Sequence, residues 1–167
     1  MIMGALTFTE ELIIPVAAGK LFKAVSFDSN NLFPKLIPEI YRRIEIIEGD
    51  GGPGSIKKAE FSNRTNMAGN QVKCIKNRID ELDAENFSYK YSLIEGDGVM
   101  DKIEKITYEV KFETTPDGGS KNKMTSTYYT KGDFALTEQE IKEGKEKALG
   151  MYKVVEGYLL QNPDAYA

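Results

Sequence analysis

Histidine is absent from all 167 residues. That removes the usual general base at neutral pH and the commonest zinc ligand. Ser-His and Cys-His nucleophile pairs are excluded outright, so an enzyme built on this chain would work with Glu, Asp, Lys or Tyr. Cysteine is almost absent too. Cys74 stands alone, which rules out an intrachain disulfide, and with no histidine to activate it the thiol reads as buried and inert. No stretch approaches the ~18 apolar residues of a membrane span. The opening MIMGALTFTE lacks the basic start and long apolar run of a secretory signal. Phe8 stands where a myristoylation motif after Met3 would need Ser or Thr. Asn63-Arg64-Thr65 is a glycosylation sequon, which matters only in a secreted chain.

Positive charge is also in short supply. There are 22 Lys and Arg against 26 Asp and Glu, a formal net charge of −4 and a pI of about 5.1. A nucleic-acid partner would need a local basic patch, and Lys57-Lys58 or Lys121 with Lys123 are too sparse to form one. Glu45, Glu48, Asp50, Glu138 and Glu140 read as solvated surface, and no cluster has the spacing of a metal site. These observations predict a cytosolic monomer with no cofactor, no metal and no membrane partner.

What is present is one domain's worth of chain. Hydrophobic residues make up 41% and charged residues 29%, an ordinary globular balance. Residues 4–14 suggest a strand ending at Pro15, and 17–27 and 30–36 two short helices broken by Pro34 and Pro38. Strand-like runs follow at 41–48 and 55–61, and the polar stretch SNRTNMAGN, 62–70, reads as a loop. Four further runs, at 71–79, 86–95, 101–114 and 120–130, are separated by turn chemistry such as Pro116-Asp117-Gly118-Gly119. Such short connections imply an antiparallel meander. From Thr137 the pattern turns helical, with a capping box at Thr137 and Glu140 and a stop at Pro163. Gly144, Gly150 and Gly157 fall inside that helix, which hints at close packing or at room beside it. One long helix against a strongly curved antiparallel sheet is an α+β sandwich, and a wrapped sheet can leave a cavity beneath the helix.

The densest motif is EGDGGPGS, where Gly49, Gly51, Gly52 and Gly54 satisfy G-x-G-x-x-G. A dinucleotide fingerprint needs a helix to follow, but SIKKAEF alternates like a strand. A phosphate-binding P-loop needs Lys-Ser or Lys-Thr where Ser55-Ile56 stands. The loop therefore reads as a connection between antiparallel strands, using φ > 0 positions that glycine takes easily. A weak anion nest of stacked N–H groups stays open.

Alternation sorts the strand residues into faces. Tyr89 and Tyr91 share one side, as do Ile106, Tyr108 and Val110, and Met124, Ser126 and Tyr128. Ala59 and Phe61 are set against Val72 and Cys74, and the helix offers Ala148, Met151 and Val155, with Phe8, Val25 and Phe33 at the ends. Plain core is the simplest reading of any one of these. The four tyrosines bring hydroxyls to one interior, and buried hydroxyls need partners. Lys57 shares the face of Ala59 and Phe61; an inward lysine and a solvated surface lysine are both open.

EGDGGPGSIKK between two strands resembles the glycine-rich signature of the pathogenesis-related class 10 proteins, the family of the major birch-pollen allergen. LFKAVSFDSNNLFPK, DELDAENFSYKYSLIEGD, DKIEKITYEVKF, TPDGGS, YYTKGD and VVEGYLLQNPDAY extend the likeness in order over nearly the whole chain. One departure is the stretch near SNRTNMAGNQ, which looks several residues longer than usual and lies near the cavity opening. The resemblance implies a seven-stranded curved antiparallel sheet wrapped around a long C-terminal helix, two short helices closing one end, and a large apolar cavity. It implies binding of small lipophilic plant metabolites and hormones: cytokinins, brassinosteroids, flavonoids, sterols, fatty acids. It places stress-induced and allergenic proteins among the relatives. The face residues above, Lys57 included, become the expected cavity lining, and the glycine loop a rigid structural turn.

Two enzymatic alternatives come with the resemblance. Ribonuclease activity would rest on Glu48, Lys57 and Glu156, a weak trio without histidine. A condensing enzyme related to norcoclaurine synthase would need a lysine on the last strand, where this chain has Met124. The neighbouring Lys123 is expected to face outward.

Overall fold

The computed structural model describes residues 4–167. The N-terminal signal and myristoylation readings rest partly on Met1–Met3, which lie outside the described residues. Seven strands form one antiparallel sheet: β1 (Ala5–Ile14), β2 (Tyr41–Glu48), β3 (Ile56–Met67), β4 (Asn70–Asp83), β5 (Ser88–Gly96), β6 (Ile103–Thr114) and β7 (Ser120–Thr130). Their spatial order is β1-β7-β6-β5-β4-β3-β2, so β2 to β7 form the expected meander and β1 returns to pair with β7. α1 (Ala18–Phe22) and α2 (Ser29–Leu36) lie between β1 and β2, α3 (Val99–Lys102) is a single turn before β6, and α4 (Glu138–Gln161) closes the chain.

Three local features differ from the sequence reading. The first predicted helix is two pieces, α1 and a wider π-helical turn over Lys23–Phe27, while the second runs on through Pro34. The turn before β6 contains α3, entered through Gly98 in the left-handed region (φ 73). The largest difference is at 62–70, which is not a loop. β3 and β4 continue into a hairpin whose turn is Ala68-Gly69, with φ of 52 and 80. Two consecutive positive φ values give the turn whose twist matches the flanking strands. This hairpin lacks a clean apolar alternation because much of it is exposed on both faces, and alternation records one-sided burial. The additional residues are taken up by a bulge. Glu60 pairs with Cys74 and Thr65 with Val72, so residues 61–64 oppose Lys73 alone.

α4 starts as its sequence predicts. Thr137 Oγ1 accepts from Glu140 N at 3.1 Å, and the Glu140 carboxylate reaches back to Thr137 N. The helix has 24 residues, ~36 Å of rise, yet only Val155 and Leu159 on it are buried. Those two enter a core at one end of the sheet, with Leu21, Phe22 and Leu32 from the short helices and Phe112 from β6. A second core lies towards the other end, where Phe61, Val72, Leu93 and Ile106 meet α3 and Leu136. Ala148 and Met151, midway along α4, pack against neither.

Candidate ligand-binding site

The concave face of the sheet is set by register. Tyr91 lies opposite Tyr108, Tyr108 opposite Ser126, Ile106 opposite Tyr128 and Val110 opposite Met124. Directly paired residues share a face, so these side chains project together from three central strands. Tyr91 and Tyr108 stack at 4.8 Å between ring centres, with Tyr89 tilted against Tyr91 at 5.0 Å. Phe8 meets Tyr128 edge-on at 5.8 Å. At the far edge Phe33 stacks on Tyr41, which leans on Phe61.

Burial along this face is uneven. Val25, Ala59, Phe61, Val72, Tyr89, Ile106, Val110 and Val155 are buried. Tyr91, Tyr108, Met124, Ser126, Tyr128, Ala148, Met151, Phe8 and Phe33 keep accessible surface, although most of them stand in the middle of the sheet or on α4. A residue on a central strand beneath a helix is normally sealed by that helix. α4 joins the two cores through Ile141 near its start and through Tyr152, Val155, Tyr158 and Leu159 towards its end. A Cβ added at Gly144, Gly150 or Gly157 would meet nothing within 4 Å, and Gly144 and Gly150 are exposed to solvent. Of the two readings of those glycines, close packing is excluded.

Electrostatics follow from the same enclosure. Burial raises the phenol pKa of Tyr91 and Tyr108 well above its ordinary value, and pushes Tyr41 and Tyr152 up to about 12. Tyr128 is raised for the same reason. These phenols therefore keep their O–H at neutral pH. Asn122, two residues before Met124 on the same face, is fully buried with neither amide atom bonded, and the Tyr152 phenol is its polar neighbour. The wall is thus apolar with a few polar points.

Lys57 resolves the question left open by alternation: it points inward and is 7% exposed. Its Nζ donates to Ser29 Oγ at 3.1 Å and stands 5.9 Å from the Tyr89 ring centre. Burial lowers its pKa, with Asp28 as the one opposing charge. Glu48 of the ribonuclease trio is exposed at the end of β2, whereas Lys57 is buried.

Cys74 requires a correction. It is paired with Glu60, whose neighbours Ala59 and Phe61 are buried, so Glu60 and Cys74 both face outward. Ala59 is opposite Ile75 instead. The bulge breaks the alternation of β4, and Val72 and Ile75 both turn inward. Cys74 lines a shallow outer depression of about 260 Å³ with Lys76, Glu95 and Asp97. A second, of about 180 Å³, is lined by Lys90, Tyr91, Thr107, Tyr108, Glu109 and Thr125. Both are shallow and open to solvent.

The glycine loop keeps its N–H groups for itself. Gly51 N donates to Ser55 Oγ, Gly52 N to Asp50 Oδ1, Gly54 N to Ile79 O and Ser55 N to Gly52 O. No stack of free donors remains for an anion, which removes the nest. Gly49, Gly51 and Gly54 have φ of 88, 99 and 90, and β3 follows directly.

Four residues on this layer escaped the sequence reading: Tyr41, Asn122, Lys147 and Tyr152. Asn122 was reachable by continuing the β7 alternation, and Lys147 as the i−4 neighbour of Met151. Polar residues carry no apolar signal, so periodicity does not select them.

A comparison with known families matches residues 3–162 to the pathogenesis-related protein Bet v 1 family. The chain belongs to the Bet v 1 family. It is 49% identical over 164 residues to the major allergen Pru ar 1 of Prunus armeniaca, covering 98% of this chain and 99% of that one. The major strawberry allergen Fra a 1-2 of Fragaria ananassa is 49% identical with the same coverage. Among solved structures, Ara h 8.0201 superposes with a TM-score of 0.80 at 39% identity, over 95% of this chain and 99% of that one. Norcoclaurine synthase from Thalictrum flavum, at 24% identity and a TM-score of 0.74 over 93% of this chain and 87% of that one, shares the Bet v 1 fold alone. At the position read as its lysine, Met124 faces the concave side here, while Lys123 is exposed.

Proposed function

We propose that this protein is a cytosolic, monomeric, stress- or defence-related carrier of small lipophilic ligands, held between the concave face of the sheet and α4. Cytokinins and other hormones, flavonoids, sterols and fatty acids are the ligand classes that fit an apolar wall with a few hydroxyl and amide points. The observation that carries the reading is the accessible surface kept by Tyr91, Tyr108, Met124, Ser126 and Met151 at positions a packed helix would seal. Burial of apolar ligand surface at ~25 cal/mol per Å² supports micromolar binding of a drug-sized molecule. Selectivity is loose, because an apolar wall rejects little.

The test is displacement of a fluorescent amphiphile by a cytokinin and by a flavonoid, with titration calorimetry alongside. Displacement with measurable heat and a raised melting temperature is the expected result. No heat from any of these ligands, with an unmoved melting temperature, overturns the proposal.

A further inference from the structure

Lys147 is a lysine of α4 that reaches β3. Two others on the helix are matched by carboxylates, Lys142 to Glu146 and Lys145 to Glu10. Glu143, which could have met Lys147 one turn away, accepts from Gln139 instead. The Lys147 ammonium crosses to β3, where it donates to Thr65 Oγ1 and stands 5.4 Å from the centre of the Phe61 ring. Phe61 is buried on the concave face, and Thr65 is paired with the fully buried Val72, so this contact is on the inner side of the sheet. No carboxylate lies within salt-bridge distance of Lys147 among the described residues, and burial alone moves its pKa, downwards. A lysine in such a place bears a desolvation cost that one hydroxyl and one ring offset only in part. An ammonium has three donors, and Thr65 takes one.

We propose that Lys147 receives the head group of a carboxylate-bearing amphiphile whose apolar body lies along the concave face towards Tyr91 and Tyr108. This rests on the carrier reading and adds a choice that an apolar wall cannot make, between an acid and a neutral molecule of the same shape. Two free N–H donors suit the two oxygens of one carboxylate, and an anion relieves the unpaired charge that a neutral guest leaves in place. Thr65 lies four residues after Phe61 on β3, on the same face by ordinary alternation.

The experiment measures displacement of a neutral probe, N-phenyl-1-naphthylamine, by decanoate and by decan-1-ol at neutral pH. In the wild type decanoate binds tighter than the alcohol by roughly tenfold, the scale of a charge-assisted hydrogen bond. Lys147→Met abolishes that preference by weakening decanoate far more than the alcohol, while Lys147→Arg restores it. Equal binding of acid and alcohol by the wild type, or an equal loss of both in Lys147→Met, overturns the role of Lys147 and leaves the carrier reading standing. Failure of the probe, the acid and the alcohol all to bind overturns both.

Discussion

Substitution at two points on α4 tests whether the helix stands off the sheet. Leu159 is 1% exposed and packs with Leu21, Phe22 and Val155. Truncation to Ala removes buried methyl groups from a closed core, so Leu159→Ala should cost about 3 kcal/mol, within the range of buried Leu→Ala changes. For a domain of this size that lowers the melting temperature by about 6–12 °C. Met151 lies eight residues earlier, just over two turns, on a similar face, yet it packs against neither core and keeps accessible surface. Its truncation leaves no new void, only a wider one, so Met151→Ala should cost less than about 1 kcal/mol. Urea denaturation of the two variants, with circular dichroism as readout, gives both values. The m-value should be unchanged in each, since the surface exposed on unfolding hardly differs. A Met151→Ala cost above about 2 kcal/mol would mean that the middle of α4 is as tightly packed as its end, and the argument for an enclosed ligand space would fail with it.

Two further outcomes are expected. Partly buried phenols whose folded pKa is raised, Tyr41 and Tyr152 to about 12 and Tyr91, Tyr108 and Tyr128 upwards, contribute stability that is intact below their unfolded value near 10 and lost as pH rises towards the folded values. Absorbance titration at 295 nm should therefore show these tyrosines ionising together with unfolding rather than before it; smooth ionisation in an intact fold contradicts their burial. In the glycine loop, Gly54→Ala meets open space and bears only the left-handed cost of about 1–2 kcal/mol. A Cβ at Gly49 would stand 2.9 Å from Ser55 Cα and overlap Ser55 Oγ, so Gly49→Ala should be measurably worse in denaturant melts, and equal losses would refute the rigid-turn account.

The site was legible wherever alternation was regular. Tyr89 and Tyr91, the β6 trio and the β7 trio came out on common faces because β5, β6 and β7 pair without interruption through that region. It failed at Cys74, because the bulge opposite Lys73 changes the parity of β4 and no local pattern announces a bulge. The β3–β4 hairpin was read as loop for a related reason: strands exposed on both faces leave no one-sided apolar record.

The sequence by itself determined the class of chemistry and the order of elements. A chain without histidine, with one thiol and a net charge of −4, has few routes to catalysis, and its hairpin and capping signals act within a few residues of each other. Tertiary structure alone decided which residues of α4 enter the two cores, and which lysines turn inward. Those facts depend on pairings between residues such as Lys147 and Thr65, 82 positions apart. Propensity and periodicity are short-range, whereas the gap beneath a helix is a property of how two distant surfaces meet.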